Sequence, residues 1–307
     1  MENSAEHTPV LTRPLCELLR VRPDDFVVDA TVGPGGHAAL LAATLSASGT
    51  LLGLDVDAES LALARQRLAD SPGRIILERR NFSELPDVLA ARGLRRVDVI
   101  LADLGVSSRQ LDDPQRGLSF SADGPLDMRM DDRLTTTAAD LVNRLREEEL
   151  ADLIYEGGQE RYSRRIARRI CTARRERRIT RTAELAEAVA AAVKVDPKSR
   201  RSKIHPATRT FQALRIAVNN ELGALEALLE CAPRHLKPGG RFGVVSFHSL
   251  EDGRVKRDFR RRKSEGLYTV VTAKPVVAGP EERKANPRSR SAKLRVAVRT
   301  EKEIDAS

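Results

Sequence analysis

Short, largely apolar runs recur along the first hundred residues, near 26–30, 50–55, 75–78 and 97–102, and between them lie stretches with helical spacing, among them 38–45 and 58–68. Apolar runs this short and this continuous predict strands buried on both faces of a sheet, and alternation with helices predicts right-handed βαβ crossovers in a mainly parallel sheet. From about 112 to 210 the pattern becomes helical with turn-rich joints. Thr137 to Asp140 reads as a capping box, Glu147-Glu148-Glu149 as a helix start, Gly157-Gly158 as its end, and 182–193 as a helix with Leu185, Val189 and Val193 on one face. Residues 196–203 are polar, basic and proline-bearing, which predicts a loop. Alternation then resumes: a single helix over 208–235, the break Pro238-Gly239-Gly240, a strand over 241–247, and two last strands near 268–272 and 294–299 that would pair antiparallel at the end of the sheet.

The expected fold is therefore α/β: a Rossmann-like, mostly parallel sheet with an antiparallel final strand and an inserted helical domain. The division is 1–111 and 211–307 for the sheet domain and 112–210 for the insertion. In such sheets ligands bind outside the carboxyl ends of the strands. An insertion that leaves the fourth strand is thus expected beside that crevice, placed to clamp a substrate.

The first strand runs into Asp29 and then Gly33-Pro34-Gly35-Gly36-His37, a glycine turn opening a helix. Glycine permits positive φ and close approach of a ligand to bare backbone, and the helix start offers free N–H groups. Such a turn is also compatible with a plain strand-to-helix connection. The second strand ends at Asp55, about 20 residues beyond the glycines, where nucleotide-binding folds set an acid against ribose hydroxyls. Dinucleotide enzymes carry G-x-G-x-x-G, whereas Gly33-x-Gly35-Gly36-His37 after a strand-terminal Asp is closer to S-adenosylmethionine (SAM) enzymes. After the third strand, Asn81-Phe82 offers an amide and a ring to an adenine, although Phe82 reads equally well as core.

Two further segments carry polar groups to the same crevice. Asp103-Leu104-Gly105-Val106-Ser107-Ser108 follows the fourth strand, and an acceptor there, Asp103 or Ser107, would hold the N–H of an exocyclic base amine, a poor nucleophile, in line with a methyl carbon; Asp103 reads as a cofactor contact, as that acceptor, or as a cap of the next turn. His248 in Ser246-Phe247-His248-Ser249-Leu250-Glu251-Asp252 is a second proton-handling candidate, or a structural histidine held by Glu251. Neither serine sits in a G-x-S-x-G elbow, which disfavours a hydrolase.

Composition narrows the partner. The net charge is +9, with 53 Lys and Arg against 44 Asp and Glu. Arg164-Arg165-Ile166-Ala167-Arg168-Arg169-Ile170, continuing to Arg181, makes a helix with cations around a narrow apolar stripe, suited to phosphate oxygens; Arg164, Arg165, Arg168 and Arg169 are the candidate nucleic-acid contacts, unless they only solvate a surface. Aromatic content of 3% and the lack of tryptophan argue against a broad stacking platform. Three scattered cysteines without C-x-x-C signal neither a disulfide framework nor zinc, and no metal is expected. No export signal or long apolar span is visible, so a cytoplasmic protein with no membrane association is expected.

Several blocks together carry a family resemblance: His7-Thr8-Pro9-Val10-Leu11, Gly35-Gly36-His37, Asp103 to Ser108, Asp123-Gly124-Pro125-Leu126-Asp127-Met128-Arg129-Met130-Asp131, His205-Pro206-Ala207-Thr208-Arg209-Thr210-Phe211-Gln212-Ala213-Leu214-Arg215, Ser246 to Asp252, and Asn286-Pro287-Arg288-Ser289-Arg290-Ser291. In this order they resemble the MraW/RsmH family. The resemblance implies a bacterial SAM-dependent methyltransferase acting on N4 of a decoding-centre cytidine in the 16S ribosomal RNA of the small ribosomal subunit. It implies cofactor contacts at Gly35, Gly36, His37, Asp55, Phe82, Asp103 and Gln110. Pro34, Ala38, Arg109 and Leu118 depart from the family pattern without removing a contact. Methylation of DNA or protein, or a non-catalytic role in ribosome assembly, remain the alternatives.

Overall fold

The computed structural model describes residues 9–193 and 205–304; the His7-Thr8 pair and the 196–203 loop lie outside the described residues. Contacts gather the chain into two units, the described part of Met1–Gly105 with Leu222–Ser307, and Val106–Glu221. The expected boundaries at 112 and 210 fall inside the limits of the second unit.

The first unit opens with α1 (Thr12–Leu19), β1 (Phe26–Asp29), α2 (Gly36–Ala42), β2 (Thr50–Asp55), α3 (Ala58–Arg67), β3 (Arg74–Arg79), α4 (Leu85–Ala90) and β4 (Val97–Asp103). The second holds α5 (Ser108–Asp112), α6 (Ala138–Arg144), α7 (Glu147–Gly158), α8 (Ser163–Glu176), α9 (Thr182–Ala192) and α10 (Ala207–Asn219). The first unit then closes with α11 (Glu221–His235), β5 (Leu236–Ser246), α12 (Ser249–Ser264), β6 (Tyr268–Val270), β7 (Val276–Val277), α13 (Pro280–Ala285) and β8 (Lys293–Arg299).

The sheet runs β3-β2-β1-β4-β5-β8-β6, with β7 also on β8. The pairings among β1 to β5 are parallel, and β8 runs antiparallel to β5, β6 and β7. The expected sheet, with its antiparallel end, is the one observed. Successive side chains of a strand point to opposite faces, so Val28, Leu52, Ile100 and Phe242 pack with Leu85, Leu225, Leu229, Val255 and Phe259, while Val27, Leu51, Val99 and Val245 pack with Leu15, Leu41 and Leu61. Both faces are covered, which explains why the strands read as continuous apolar runs.

The helical unit has its own core, including Leu150, Ile154, Ile166, Ile170, Leu185, Phe211 and Leu214. The motif-rich 123–131 segment ties it together: Asp123 accepts from Ala183 N, Gly124 N donates to Thr182 Oγ1 at 3.0 Å, and Asn219 bridges Met128 O and Met130 N. The expected Thr137 capping box is present.

Two expectations need correction. The single helix over 208–235 is two, broken at Asn220, whose φ of 48° is left-handed, a conformation asparagine tolerates and a helix interior does not. The break expected at Pro238-Gly239-Gly240 lies inside β5, where the pairing with β4 shifts register between Val97 and Val99. The expected end of α7 at Gly157-Gly158 is observed, with Gln159 as its C-cap at φ 50°. The two glycines also let α10 approach, since a Cβ on Gly158 would stand 2.4 Å from Arg209 O and one on Gly157 2.9 Å from Ala213 Cα. Among the described residues no helix is long and apolar enough to cross a membrane.

Candidate cofactor site at the strand ends

The carboxyl ends of β1, β2 and β4 deliver three acids, Asp29, Asp55 and Asp103, and one imidazole, His37 from α2. The glycine turn between β1 and α2 is tight: Gly33 and Gly35 have φ of 51° and 85°. The second of these also faces backbone, since a Cβ on Gly35 would lie 3.2 Å from Ala64 Cα. A side chain is disfavoured at Gly33 by φ alone and at Gly35 by both φ and contact.

Asp55 holds the turn. Its Oδ2 accepts from Gly33 N and its Oδ1 from Asp57 N, both at 2.8 Å. Burial pushes its carboxyl up to about 6, against these backbone N–H bonds. With the Val56 N–H as a third backbone donor, the carboxylate still has room among its roughly four acceptor sites for a hydroxyl.

His37 is 5% exposed and engaged at both nitrogens. Nε2 donates to Val10 O at 2.7 Å, and Nδ1 stands 3.1 Å from Asp103 Oδ2. A carbonyl only accepts, so Nε2 carries a proton, and the carboxylate favours a second one on Nδ1. Burial pulls the imidazole down, but the charge and hydrogen bond of Asp103, the Val10 carbonyl and Asp29 together bring it up to about 9. The ring is an imidazolium at neutral pH. Asp29, 1% exposed, is pushed up to about 7 by burial, with the charge of His37 opposing.

Asp103 is fixed from both sides. Its N–H donates to Thr31 Oγ1 at 2.6 Å, and Oδ2 faces the imidazolium. Its Oδ1 is buried without a hydrogen-bond partner among the described residues. A buried acceptor left empty costs free energy, so this oxygen is shaped for a donor the protein does not supply. Three acids around one cation likewise suit a ligand bearing positive charge and hydrogen-bond donors, which S-adenosylmethionine has in its sulfonium, ammonium and ribose hydroxyls.

The other sequence candidates take varied places. Phe82 is half-buried against the core beside β3, and Asn81 Oδ1 caps the short turn by accepting from Ser83 N at 2.9 Å. His248 is the N-cap of α12: Nδ1 accepts from Glu251 N at 3.4 Å, Nε2 lies 3.2 Å from Glu251 Oε1 without hydrogen-bond geometry, and the Glu251 carboxylate accepts from Phe247 N. That gives Nδ1 a capping task. Gln110 belongs to the helical unit, where its amide oxygen accepts from Ser107 N at 2.9 Å in the capping box of α5. In that unit Arg164, Arg165, Arg168 and Arg169 are all exposed on α8. Arg164 and Arg168 meet Asp152 and Glu147 only at 3.4 Å, and Arg165 lies over the Tyr162 ring at 5.5 Å.

Thr31, Val10 and Glu282 were not among the sequence candidates. Glu282 of α13 accepts from Leu11 N at 2.7 Å, beside the carbonyl that holds His37. Nothing local marks a carboxylate 271 positions away as a partner.

The parallel sheet with its antiparallel end, carrying a glycine turn and acids at its strand ends, is that of the class of Rossmann-like SAM-dependent methyltransferases. Residues 4–300 match the model of the MraW methylase family, and the chain belongs to that family. It is similar to proteins called ribosomal RNA small subunit methyltransferase H: that of Acidobacterium capsulatum is 50% identical over 299 residues, covering 95% of this chain and 97% of the relative. That of Sorangium cellulosum is 51% identical over 294 residues, covering 96% and 91%.

Proposed function

We propose that this methyltransferase acts in the cytoplasm on 16S ribosomal RNA of the small ribosomal subunit, at N4 of a decoding-centre cytidine. The names of its relatives support the RNA substrate, and the family resemblance supports the base and atom. The observation that carries the chemistry is the unfilled, buried Oδ1 of Asp103, held beside a protonated imidazole at the end of β4.

S-adenosylmethionine supplies, when bound, a methyl group already activated by its sulfonium. The protein then has to orient and to accept a proton. Asp55 would take the ribose hydroxyls, Phe82 would lie by the adenine, and Gly35 and Gly36 would offer bare backbone. His37 would contribute backbone only, because both ring nitrogens are occupied. Gln110 is a contact by family resemblance. Asp103 Oδ1 would hold an N–H of the cytosine amine and receive the proton released as the C–N bond forms. His248 shapes the acceptor side by capping α12. The helical unit would bind RNA through Arg164, Arg165, Arg168 and Arg169, whose guanidinium groups suit phosphate oxygens.

The test is incubation with labelled S-adenosylmethionine and small subunits lacking the modification, followed by mass spectrometric mapping of the labelled nucleoside. Label on N4 of one cytidine is expected. Label on DNA or protein instead, or none on the subunit, refutes the proposal.

A further inference from the structure

The helix α12 carries seven cations, Arg254, Lys256, Arg257, Arg260, Arg261, Arg262 and Lys263, and packing sorts them into two groups. Val255 and Phe259 pack into the core of the sheet, and Asp258 and Arg262 are buried as well. On the flank facing α11, Arg254 pairs with Glu226 at 2.6 Å, Arg261 with Glu230 at 2.9 Å, and Arg262 with Glu230 at 2.7 Å. The remaining four, Lys256, Arg257, Arg260 and Lys263, are exposed and make no ion pair among the described residues. Their spacings of three and four place them on the outward side of the helix, in a stripe of about 10 Å along its axis.

The helix dipole gives the stripe only a partial account. Cations are favoured within the last turn, which covers Lys263 but not Lys256, Arg257 or Arg260. Solvation alone does not explain why acids from α11 neutralise one flank and leave the other bare. The stripe is also oriented with respect to the candidate site: α12 begins at His248 on the carboxyl end of β5, its first turn carries Glu251 and Asp252, and the cations follow further from that edge.

We propose that the outward face of α12, formed by Lys256, Arg257, Arg260 and Lys263, is a second phosphate-binding surface for the RNA substrate, belonging to the sheet unit and additional to the arginines of α8. It rests on the reading of RNA as substrate. The contacts are to backbone phosphates, so they fix the register of the strand without reading its sequence.

The experiment uses the full chain with Lys256→Gln, Arg257→Gln, Arg260→Gln and Lys263→Gln combined, since exposed positions of this kind leave the fold intact. Binding to small subunits is measured over a salt series, alongside KM for subunits, affinity for S-adenosylmethionine and the thermal midpoint. The expected result is at least tenfold weaker binding at low salt, a salt dependence shallower by roughly 2.8–3.6 in log–log slope from about 0.7 to 0.9 per lost contact, and a raised KM. Cofactor affinity and midpoint stay unchanged. If the parent protein methylates subunits while the variant keeps parental affinity and slope, the surface is refuted and the proposed function stands. If the parent neither binds nor methylates subunits, both fall.

Discussion

Replacing His37 with glutamine isolates the charge of the buried imidazolium, because an amide can still donate to Val10 O but cannot become a cation. The imidazole is raised from its ordinary 6.5 to about 9 in the folded chain. At about 1.4 kcal/mol per pH unit, that difference corresponds to about 3 kcal/mol of folding stability. The folded value is the higher one, so the contribution is complete below about 6.5, declines to about 1 kcal/mol at pH 8, and vanishes above about 9. Asp103 is common to both proteins, and Asp29, whose carboxyl the charge of His37 holds down against burial, is replaced by asparagine in both so that its titration does not enter the comparison. Urea unfolding followed by circular dichroism at several pH values between 6.5 and 9.5 should therefore show parent and His37→Gln farthest apart at the acid end and converging at the alkaline end. A gap that is constant over this range, or that widens with pH, would refute the assignment of His37 as a protonated partner of Asp103.

Three other outcomes follow from the same structure. Asp55→Ala removes the acceptor of Gly33 N and Asp57 N, and at about 1.5–3 kcal/mol for a charge-assisted bond it should weaken S-adenosylmethionine binding roughly 10- to 100-fold by calorimetry; unchanged affinity would remove it from the ribose. Arg165→Ala with Arg168→Ala should lower RNA affinity and flatten its salt dependence by roughly 1.4–1.8 in slope at about 0.7–0.9 per contact, leaving cofactor affinity alone; an unchanged slope contradicts phosphate binding by α8. Gly158→Ala drives a methyl group to 2.4 Å from Arg209 O, which at about 1–3 kcal/mol for an overpacked contact should show as a lower urea midpoint; a stability within about 0.5 kcal/mol of the parent would mean that α7 and α10 are not in close contact.

Much of the sheet was legible because its signals are local. Phe26-Val27-Val28 and the runs that follow it announce strands covered on both faces, and Asp29, the glycine turn and Asp55 sit where the chain itself places strand ends. Thr137 and Asp140 cap each other across three residues, so their box was readable in advance. The break at Asn220 was not, because nothing apolar changes there: Val218 and Leu225 continue a helical pattern across a residue that happens to turn left-handed. Gly157-Gly158 carried the composition of a stop signal, and only the neighbouring helix shows that they provide clearance.

The sequence by itself thus determined the order of elements, the acids at the strand ends, and which family the chain belongs to. Tertiary structure alone decided which polar groups are occupied. Asp103 was readable as an acceptor, but that one of its oxygens faces an imidazolium and the other meets no donor among the described residues depends on Val10 and α2 packing beside β4. The seven cations of α12 look alike as letters, and Glu226 and Glu230 on α11 separate the neutralised from the bare. The physical reason is one of range: secondary structure follows from neighbours within a few positions, whereas burial and pairing of charge depend on groups brought together from anywhere in the chain, and the free energy of an ionised group changes steeply with both.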